Sequence, residues 1–488
     1  MSDENKEVLV TRPRYDRAAL RSRIVHLGFG AFHRAHQAVY TDVMLNAIGG
    51  DWGHRVVKLK SGAEALQRLA ENAYLYTVLK RDSRQGDQAR IVGSVIDHRH
   101  PETHGREGVV AGLADAGVEI VSLTVTEKGY MLTPGGRLDL DHPEVKADLA
   151  DQGRPGSAIG VLVAALAERR RQGLKPFTIL CCDNLPDNGA RTRDAVLAFA
   201  GERDADLAAW IEGEGRFPST MVDRIVPATT PETEARIFDV IGRPDPDGVA
   251  CEPFRQWVIE DDFVGERPAW DVAGATFTRD VAPFEMMKLR MLNGPHSFLA
   301  YLGYLGGFET IADTMADLNY AAAARALMLG EQAASFAAPE GIDLTAYADE
   351  LIARFTNRAI RHRTWQIAMD GSQKLPQRML SSLQWHVEHG RPAPLLTLGV
   401  AAWIRYVGGI DERGQAIDVR DPMAARLKAD GSETPVERVR AVVETSGIFP
   451  PRLAGDGAFL DTLSQALGGL IQDGAVRSVA KVAGESKR

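Results

Sequence analysis

Short apolar, β-branched runs alternate with amphipathic stretches over the first part of the chain, to about residue 280. Thr230, Pro231 and the acids that follow form a further helix start, with a capping threonine and proline at the first helical position. Strands that alternate with helices predict an α/β fold built on a parallel sheet. The predicted strands cover residues 24–27, 54–59, 119–126 and 177–182, and the predicted helices cover residues 35–48 and 158–172.

Beyond Glu285 the pattern changes to helical periodicity almost throughout. Thr434 and Glu437 form a capping box at the start of one of these helices. The change predicts two domains, residues 1–283 with alternating strands and helices and residues 284–488 that are mostly α-helical. The other predicted helices of the second domain cover residues 320–336, 344–355, 377–388, 396–406 and 457–471.

A glycine turn follows the first predicted strand directly, in the order strand, Gly28-Phe29-Gly30-Ala31-Phe32-His33, helix. This order is typical of a dinucleotide-binding unit, in which Gly28 makes the tight turn and Gly30 lets the backbone approach a pyrophosphate. His33 replaces the third glycine of the usual fingerprint, so the motif by itself is weak. The turn predicts that residues 28–32 contact NAD or NADP.

The end of the second predicted strand bears on the choice between NAD and NADP. A carboxylate at this position normally binds the adenosine ribose of NAD. The sequence instead has Lys58-Leu59-Lys60-Ser61-Gly62, and the first acid is Glu64. These lysines either accept the 2′-phosphate of NADP or are solvated residues at a strand end, and both interpretations stay open.

Polar residues also follow two buried strands, at the edge where open α/β sheets bind ligands. Thr126 and Glu127 end the third predicted strand and are predicted to contact the cofactor. Asn184 follows the fourth and is predicted to supply an amide donor to the substrate. Residues 187–189, Asp-Asn-Gly, are better explained as a turn.

The stretch from Pro283 to Phe298 combines a lysine, an asparagine and a histidine at short spacings. At the angular step of an α-helix, Lys288 and His296 lie about 80° apart, and Asn293 shares the same broad face. A ketone reduction needs such groups, because a proton must reach the forming alkoxide and N–H donors must hold its charge. Glu285 stands one helical turn before Lys288, either as a proton relay or as an ion-pair partner. The alternative is that Lys288 and Arg290 are solvated charges on the surface of a helix.

The formal net charge of −9 argues against a nucleic-acid or anionic-membrane partner, because the 488-residue chain has no basic surplus. No apolar run approaches the roughly 18 residues of a membrane span. The N-terminus lacks the features of a signal peptide, and three cysteines make no disulfide framework, which favours the reducing cytoplasm. His98, His100 and His104 contain a His-x-His pair, but the nearby proline and glycine predict an exposed loop, and no metal is expected.

The segment K-L-R-M-L-N-G-P-H-S resembles the Lys-x4-Asn-x2-His signature of the mannitol dehydrogenase family, the polyol-specific long-chain dehydrogenases. Similar likeness is found in G-F-G-A-F-H-R-A-H-Q, V-S-L-T-V-T-E-K-G-Y and C-E-P-F-R-Q-W-V-I-E-D, and it extends from Ile24 to at least Phe449. The resemblance implies a Rossmann-type N-terminal domain, a mostly α-helical C-terminal domain and a metal-independent, NAD-linked ketone reduction.

The resemblance also implies residue roles. Lys288 would be the general acid/base, Asn184 and Asn293 would hold the oxyanion, and His296 and Asp223 would contact substrate hydroxyls. The sequence departs from the family at position 295, where proline stands instead of the expected serine or threonine. Proline removes a backbone donor, so it either kinks the helix or starts a new one.

An excess of cations in the family-like segments bears on the substrate. The four cations are Arg255, Arg363, Lys374 and Arg378. A carboxylate taken out of water needs such partners, so they predict a small sugar acid, a keto-hexuronate, as the substrate. A neutral polyol or ketose is the alternative, in which case these cations form a solvated face.

Overall fold

The computed structural model describes residues 8–133, 135–429, 431 and 433–485. The chain divides into two compact units, Met1–Ala282 and Pro283–Arg488. None of the helices in the described ranges is long and apolar enough to cross a membrane.

The first unit is built on a five-stranded sheet in the order β6-β3-β2-β7-β8, in which every neighbouring pair is parallel. Strands covered by helices on both faces are rich in apolar residues, which is why β7 and β8 were predicted from short apolar runs. The strands of this sheet are β2 (Arg21–Leu27), β3 (Trp52–Val57), β6 (Val95–Arg99), β7 (Ile120–Leu123) and β8 (Thr178–Cys181). The predicted α/β class is confirmed.

Two smaller sheets complete the first unit, in the orders β1-β5-β4-β10 and β12-β11-β9. Their strands are β1 (Leu9–Thr11), β4 (Tyr76–Lys80), β5 (Gln88–Val92), β9 (Thr220–Asp223), β10 (Val249–Cys251), β11 (Gln256–Glu260) and β12 (Thr276–Thr278). The helices are α1 (Ala31–Ala35), α2 (Gln37–Ile48), α3 (Ala63–Glu71), α4 (Pro101–Ala114), α5 (Pro143–Ala150), α6 (Ala158–Arg171), α7 (Asn188–Arg203), α8 (Ala205–Glu214) and α9 (Pro231–Ile241).

The helix predicted over residues 35–48 begins earlier and is interrupted. It consists of α1 and α2, separated by His36 at φ −123° and ψ −89°. The break lets the His36 ring stack on Phe32 at 4.8 Å and lets Nε2 hydrogen-bond with the carbonyl oxygen of Gln256 at 2.8 Å. A contact remote in sequence therefore decides where this helix stops.

The loop predicted around His98, His100 and His104 is wrong. His100 is the N-cap of α4, and its Nδ1 accepts a hydrogen bond from the N–H of Glu102 at 3.1 Å. Proline at the first helical position starts the helix, and Gly105, at φ 69°, bends it without ending it. Within the described residues, no three His, Cys, Asp or Glu side chains converge on a point that could hold a metal ion.

The second unit is helical around one apolar core, which includes Phe298, Tyr301, Leu396 and Trp403. Its helices begin with α10 (Ala282–Met287), and most side chains of α18 (Pro394–Val407) are buried in this core. The others are α11 (Gly294–Leu305), α12 (Ile311–Met315), α13 (Leu318–Ala326), α14 (Leu344–Phe355), α15 (Thr364–Ala368), α16 (Gly371–Leu375), α17 (Ser381–Glu388), α18 (Pro394–Val407), α19 (Ala424–Leu427), α20 (Pro435–Ser446), α21 (Pro451–Ala454), α22 (Gly457–Asp473) and α23 (Ala475–Glu485).

Among the described residues of the second unit, three π-helical segments interrupt the regular helices. They are π1 (Lys288–Asn293), π2 (Leu327–Gln332) and π3 (Pro376–Leu380). The helix predicted over residues 320–336 is therefore α13 followed by π2 and a short 3-10 turn, and the one predicted over residues 377–388 is π3 followed by α17. Periodicity predicted the presence of these helices but not their change of pitch.

Candidate active site

A cavity of about 420 Å³ lies at the carboxyl ends of β2, β3 and β7 in the first unit. Of the residues predicted to bind a cofactor, Gly28, Phe29, Gly30 and Thr126 line it. This is the edge at which doubly wound sheets bind nucleotides. Four of the seven predicted contacts therefore lie around one cavity, and cofactor binding by these residues stays a prediction.

Gly28 and Gly30 have different reasons to be glycine. Gly28 has φ +100°, and a Cβ there would clash with the carbonyl oxygen of Thr124. Gly30 has an extended backbone, and the atom nearest to an added Cβ is the carbonyl oxygen of Gly28 at 3.7 Å, so the space beside it is open. One glycine permits the turn, while the other leaves room for a ligand to approach the backbone.

His33, in place of the third glycine, is fully buried against other histidines. Its ring stacks on His26 at 3.6 Å and meets His54 edge-on at 5.2 Å. Burial holds the pKa of His26 and His33 well below the usual range and lowers that of His54 to about 3. In the usual fingerprint the third glycine lets the helix pack closely on the sheet. Here three neutral imidazoles fill the space between helix and sheet instead.

Three of the predicted cofactor contacts do not line the cavity. Phe32 packs into the core between the sheets and stacks on His36. Ala31 begins α1 and packs against the apolar cluster around Phe29 and Tyr76. Glu127 is exposed at the start of a 3-10 turn, Glu127–Tyr130, whose last residue is buried. The linear motif could not separate side chains that face the cavity from neighbours that turn into the core.

Asp183 is a structurally important residue that the sequence analysis missed. Its carboxylate accepts hydrogen bonds from the N–H groups of Val125 at 2.9 Å and Thr126 at 3.1 Å, and from the Tyr130 hydroxyl at 2.8 Å. These bonds hold Thr126 at φ 66°, an uncommon backbone for a β-branched residue. Burial raises the pKa of Asp183 to about 6. Its position directly after a buried strand was the available signal.

Asn184 follows Asp183 and is exposed just beyond β8. The carboxylate that anchors the Thr126 turn therefore also fixes the backbone next to Asn184. The predicted amide stands at the carboxyl edge of the sheet.

The lysines after β3 also line the cavity. Glu144, which comes from α5, lines the same cavity as Lys58 and Lys60. The Lys60 ammonium pairs with the Glu144 carboxylate at 2.6 Å. A carboxylate missing from the end of β3 is thus supplied to the same cavity from elsewhere in the chain.

Lys288 begins π1 and is buried, with 6% of its surface exposed, whereas Asn293 ends π1 and is half-buried. The N–H of Gly294 bonds to the carbonyl oxygen of Leu289, five residues back, which is the π-helical pattern. The α-helical angle of about 80° between Lys288 and His296 therefore does not apply. π-Helical turns occur frequently at functional sites.

The wide turn of π1 is matched by contacts with π2 and π3. A Cβ at Gly294 would lie 2.7 Å from the carbonyl oxygen of Arg378, so the three segments pack without room for a methyl group. Gln332 donates to that carbonyl at 2.8 Å and accepts from Ser382 at 2.6 Å. Pro295 lies in the first turn of α11, directly after π1. Asn293 and Gly294 keep right-handed helical dihedrals, so the chain stays helical up to the proline and no separate helix starts there.

His296 is buried on α11 beside a second histidine. Its ring stacks on Phe355 at 4.9 Å and meets His362 edge-on at the same distance. Within the described residues, His296 Nε2 has no hydrogen-bond partner. Burial holds the pKa of His296 well below its usual range, and His362, Arg378, Arg354 and Lys374 lower it further. A buried polar atom of this kind normally has a partner, which a bound hydroxyl would supply.

Lys374 and Arg378, both predicted to bind substrate, belong to the group of side chains around His296. Lys374 Nζ donates to the carbonyl oxygen of Met369 at 2.6 Å, and Arg378 Nη1 donates to the Ser297 hydroxyl at 3.1 Å. Burial, followed by the charge of Lys374, lowers the pKa of His362 to about 4. His362 and Arg354 were missed as site residues, because they become neighbours of His296 only through folding.

Arg363 does not belong to this group, contrary to prediction. Its side chain is 62% exposed and pairs with Glu309 at 3.8 Å. It lines a separate cavity with Trp365 and Asp411. Arg363 precedes α15 and turns to the side opposite His362, because successive residues of an extended segment point in opposite directions.

Asp223 and Arg255, both predicted for the substrate, lie on opposite faces of the β9–β11 ribbon. Asp223 pairs in register with Gln256, and Val222 pairs with Trp257. Side chains alternate along a strand, so Arg255 lies on the Trp257 face and over the Tyr40 ring at 4.4 Å. Asp223 is buried and points to the other face, although the charges of both residues reach the Tyr40 hydroxyl.

Comparison with known proteins agrees with both units. Residues 22–272 match the mannitol dehydrogenase Rossmann domain, and residues 280–470 match the mannitol dehydrogenase C-terminal domain. The chain belongs to the mannitol dehydrogenase family. It is a dehydrogenase, as expected.

Individual relatives cover almost the whole chain. D-mannonate oxidoreductase of Escherichia coli (strain K12) is 52% identical over 96% of this chain and 98% of its own. The uncharacterized oxidoreductase YdfI of the same organism is 50% identical over 96% of this chain and 97% of its own. Mannitol 2-dehydrogenase of Pseudomonas fluorescens, solved with NAD and D-mannitol, superimposes with a TM-score of 0.89 at 37% identity, covering 97% and 96% of the two chains.

Proposed function

We propose that this protein is an NAD-dependent D-mannonate oxidoreductase, a fructuronate reductase that interconverts D-fructuronate and D-mannonate in hexuronate breakdown. The observation that carries the proposal is the group of cations around His296. Arg354, Lys374 and Arg378 lie close enough to this buried imidazole for their charges to lower its pKa. The 52% identity to the E. coli D-mannonate oxidoreductase supports it.

The cationic group favours a sugar acid over a neutral sugar. Arginine meets a carboxylate with two parallel hydrogen bonds, and such charge-assisted bonds are about twice as strong as neutral ones. A neutral ketose has no carboxylate to offer these cations and so lacks the charge-assisted bonds. Of the three predicted cations in the second unit, Lys374 and Arg378 belong to the group around His296, and Arg363 points away from it. Arg255 belongs to the first unit.

The cavity at Gly28 fits a dinucleotide. Gly30 leaves open space beside its backbone, and Thr126 lies across the cavity. The bound NAD would accept the hydride in oxidation and return it in reduction. Lys60 is paired with Glu144, which supports NAD, since NADP needs cations that are available to its 2′-phosphate.

We propose Lys288 as the proton donor to the forming alkoxide in reduction and the acceptor in oxidation. Asn293 and Asn184 are proposed as amide donors to the oxyanion. His296 is proposed to bind a substrate hydroxyl through Nε2, and Asp223 to bind another. Glu285 is proposed as the proton relay of Lys288, one turn before it.

The test is the initial rate of NADH oxidation with D-fructuronate, D-fructose and D-tagaturonate compared side by side. Fructuronate should exceed fructose by at least about 100-fold in kcat/KM, since one charge-assisted contact is worth roughly 3 kcal/mol. Equal efficiencies for fructuronate and fructose would replace this proposal with mannitol 2-dehydrogenase activity.

Two variants locate the carboxylate contact. Arg378→Gln should lose most of its efficiency with fructuronate and little with fructose, because only the acid uses the cation. Arg363→Gln is the matched control, since Arg363 is exposed and paired with Glu309, and both substrates should react as in wild type. An equal loss with both substrates would give Arg378 a purely structural role.

A further inference from the structure

A second, smaller cavity in the first unit is lined by four cations. Its volume is about 120 Å³, and it shares no lining residue with the cavity at Gly28. The cations are Lys80 on β4, Arg90 on β5, Arg224 after β9 and Arg255 before β11. We propose that this basic pocket binds a small oxyanion, either free phosphate or the phosphoryl group of a small metabolite.

Arg224 is the fixed element of the basic pocket, with 6% of its surface exposed. Its Nε and Nη2 donate to the carbonyl oxygen of Glu252 at 3.1 and 2.9 Å, and its Nη1 donates to the carbonyl oxygen of Ala35 at 2.5 Å. A guanidinium has five N–H groups, and these bonds use three of them. The remaining two belong to a side chain that is already immobilised, so an anion pays little ordering entropy to bind them.

Arg255 is held in place by the Tyr40 ring and by the carbonyl oxygen of Ala273. Its guanidinium lies over the Tyr40 ring at 4.4 Å, and Nη2 donates to the carbonyl oxygen of Ala273 at 2.8 Å. Burial lowers the pKa of Arg255, and the charges of Arg224 and Arg90 lower it further. The arginines thus repel one another, and a bound anion would relieve that repulsion.

The charges of the basic pocket do not balance within the protein. Arg90 pairs with the buried carboxylate of Asp42 at 2.8 Å. Within the described part of the chain, Lys80, Arg224 and Arg255 have no carboxylate at ion-pair distance; Lys80 donates instead to Gln88 at 2.7 Å. Of the four lining cations, Arg90 alone has an ion-pair partner within the described residues, although the buried carboxylates of Glu252 and Asp223 lie in the surroundings of the pocket.

The apolar walls strengthen this imbalance. Val39 and Val43 of α2 and Val78 of β4 complete the lining. Charges beside apolar walls are less screened than charges in water, so their repulsion is larger and an anion is bound more strongly. Because burying unpaired cations is costly, the arrangement is accounted for by a ligand that neutralises them. A tetrahedral oxyanion offers several acceptors to the arginine forks.

The test is calorimetric titration of inorganic phosphate into NADH-saturated protein at constant ionic strength, so that phosphate cannot occupy the dinucleotide cavity. We expect one site with a Kd of about 1 mM or tighter. Lys80→Met should weaken binding at least about tenfold, because it removes one charge without touching the pair of Arg90 and Asp42. Lys175→Met, at an exposed lysine of the same unit, is the matched control and should bind phosphate as wild type does.

A second variant and a second ligand complete the experiment. Arg255→Gln should also lose phosphate affinity, and NADH binding by each variant shows that the first unit is folded. Glycerol 3-phosphate distinguishes the two sources: tighter binding than phosphate indicates a phosphorylated metabolite, and equal or weaker binding indicates free phosphate. Absence of phosphate binding, or binding that both variants retain, would overturn the proposal.

Discussion

At the scale of single residues, Lys288 shows how burial changes the meaning of a common side chain. Lysines on helices usually keep the ammonium in water, but Lys288 is buried at the first position of π1. Burying an ammonium costs free energy that function can justify, as in acid/base lysines. His296, eight residues later, has a buried Nε2 without a hydrogen-bond partner among the described residues, and it adds a second polar atom available to a substrate.

Lys288→Ala should lower kcat by about 100- to 10,000-fold, the usual contribution of general acid/base catalysis. NADH affinity, measured by fluorescence titration, should be unchanged because the lysine is proposed to act on the sugar. Lys481→Ala, at an exposed lysine of α23, is the control and should retain wild-type kcat. A Lys288→Ala enzyme with more than about a tenth of wild-type kcat would exclude this role.

At the scale of elements, the three π-helical segments meet at one crowded contact. Gly294 follows π1, Gln332 ends π2, and Arg378 belongs to π3; the glutamine bonds to the arginine carbonyl at 2.8 Å. The pitch of π1 sets where Lys288 and Asn293 point relative to each other. Disturbing the contact should therefore affect catalysis as well as stability.

Gly294→Ala should destabilise the protein by about 1–3 kcal/mol, the usual cost of overpacking, because a methyl group has no space between Gln332 and Arg378. It should also lower kcat, because π1 must shift. Gly330→Ala, inside π2 with open space around it, is the matched control and should leave both quantities close to wild type. Urea unfolding and initial rates measure the two effects, and a neutral Gly294→Ala would refute the crowding argument.

At the scale of the whole molecule, buried neutral histidines make stability depend on pH. Below pH about 6.5 the unfolded chain binds protons at its histidines, while folded His54, with a pKa of about 3, does not. The unfolded state then holds more protons, so stability falls as pH drops from about 6.5 towards 3. Asp183 and Glu331, with pKa values raised to about 6 and about 7 by burial, act in the opposite direction.

His54→Gln isolates one histidine from this balance. The loss of unfolding free energy between pH 7.5 and 5.5 should be smaller than in wild type by about 1.4 kcal/mol, the effect of one proton over one pH unit below 6.5. His389→Gln, at an exposed histidine, is the control and should show the wild-type difference. Equal pH dependence in His54→Gln and wild type would show that His54 is not held neutral.

Local patterns in the sequence predicted four of the five strands of the parallel sheet, part of the helices and the Gly28 turn. Apolar runs, caps and glycine turns act through neighbouring residues, and a sequence displays them directly. The family signature likewise indicated Lys288, Asn293 and His296 from one short segment.

Tertiary structure alone decided which side chains share a site. Asp183 became an anchor for Thr126, and His362 and Arg354 joined His296, because folding brings distant residues together. Because side chains alternate along β9 and β11, Arg255 and Asp223 point to opposite faces. Close packing around Gly294 accompanies the change from α- to π-helix. The pitch of a helix, the direction of a side chain and the charges that share a site depend on contacts between elements. The pattern of residues along one segment does not contain those contacts.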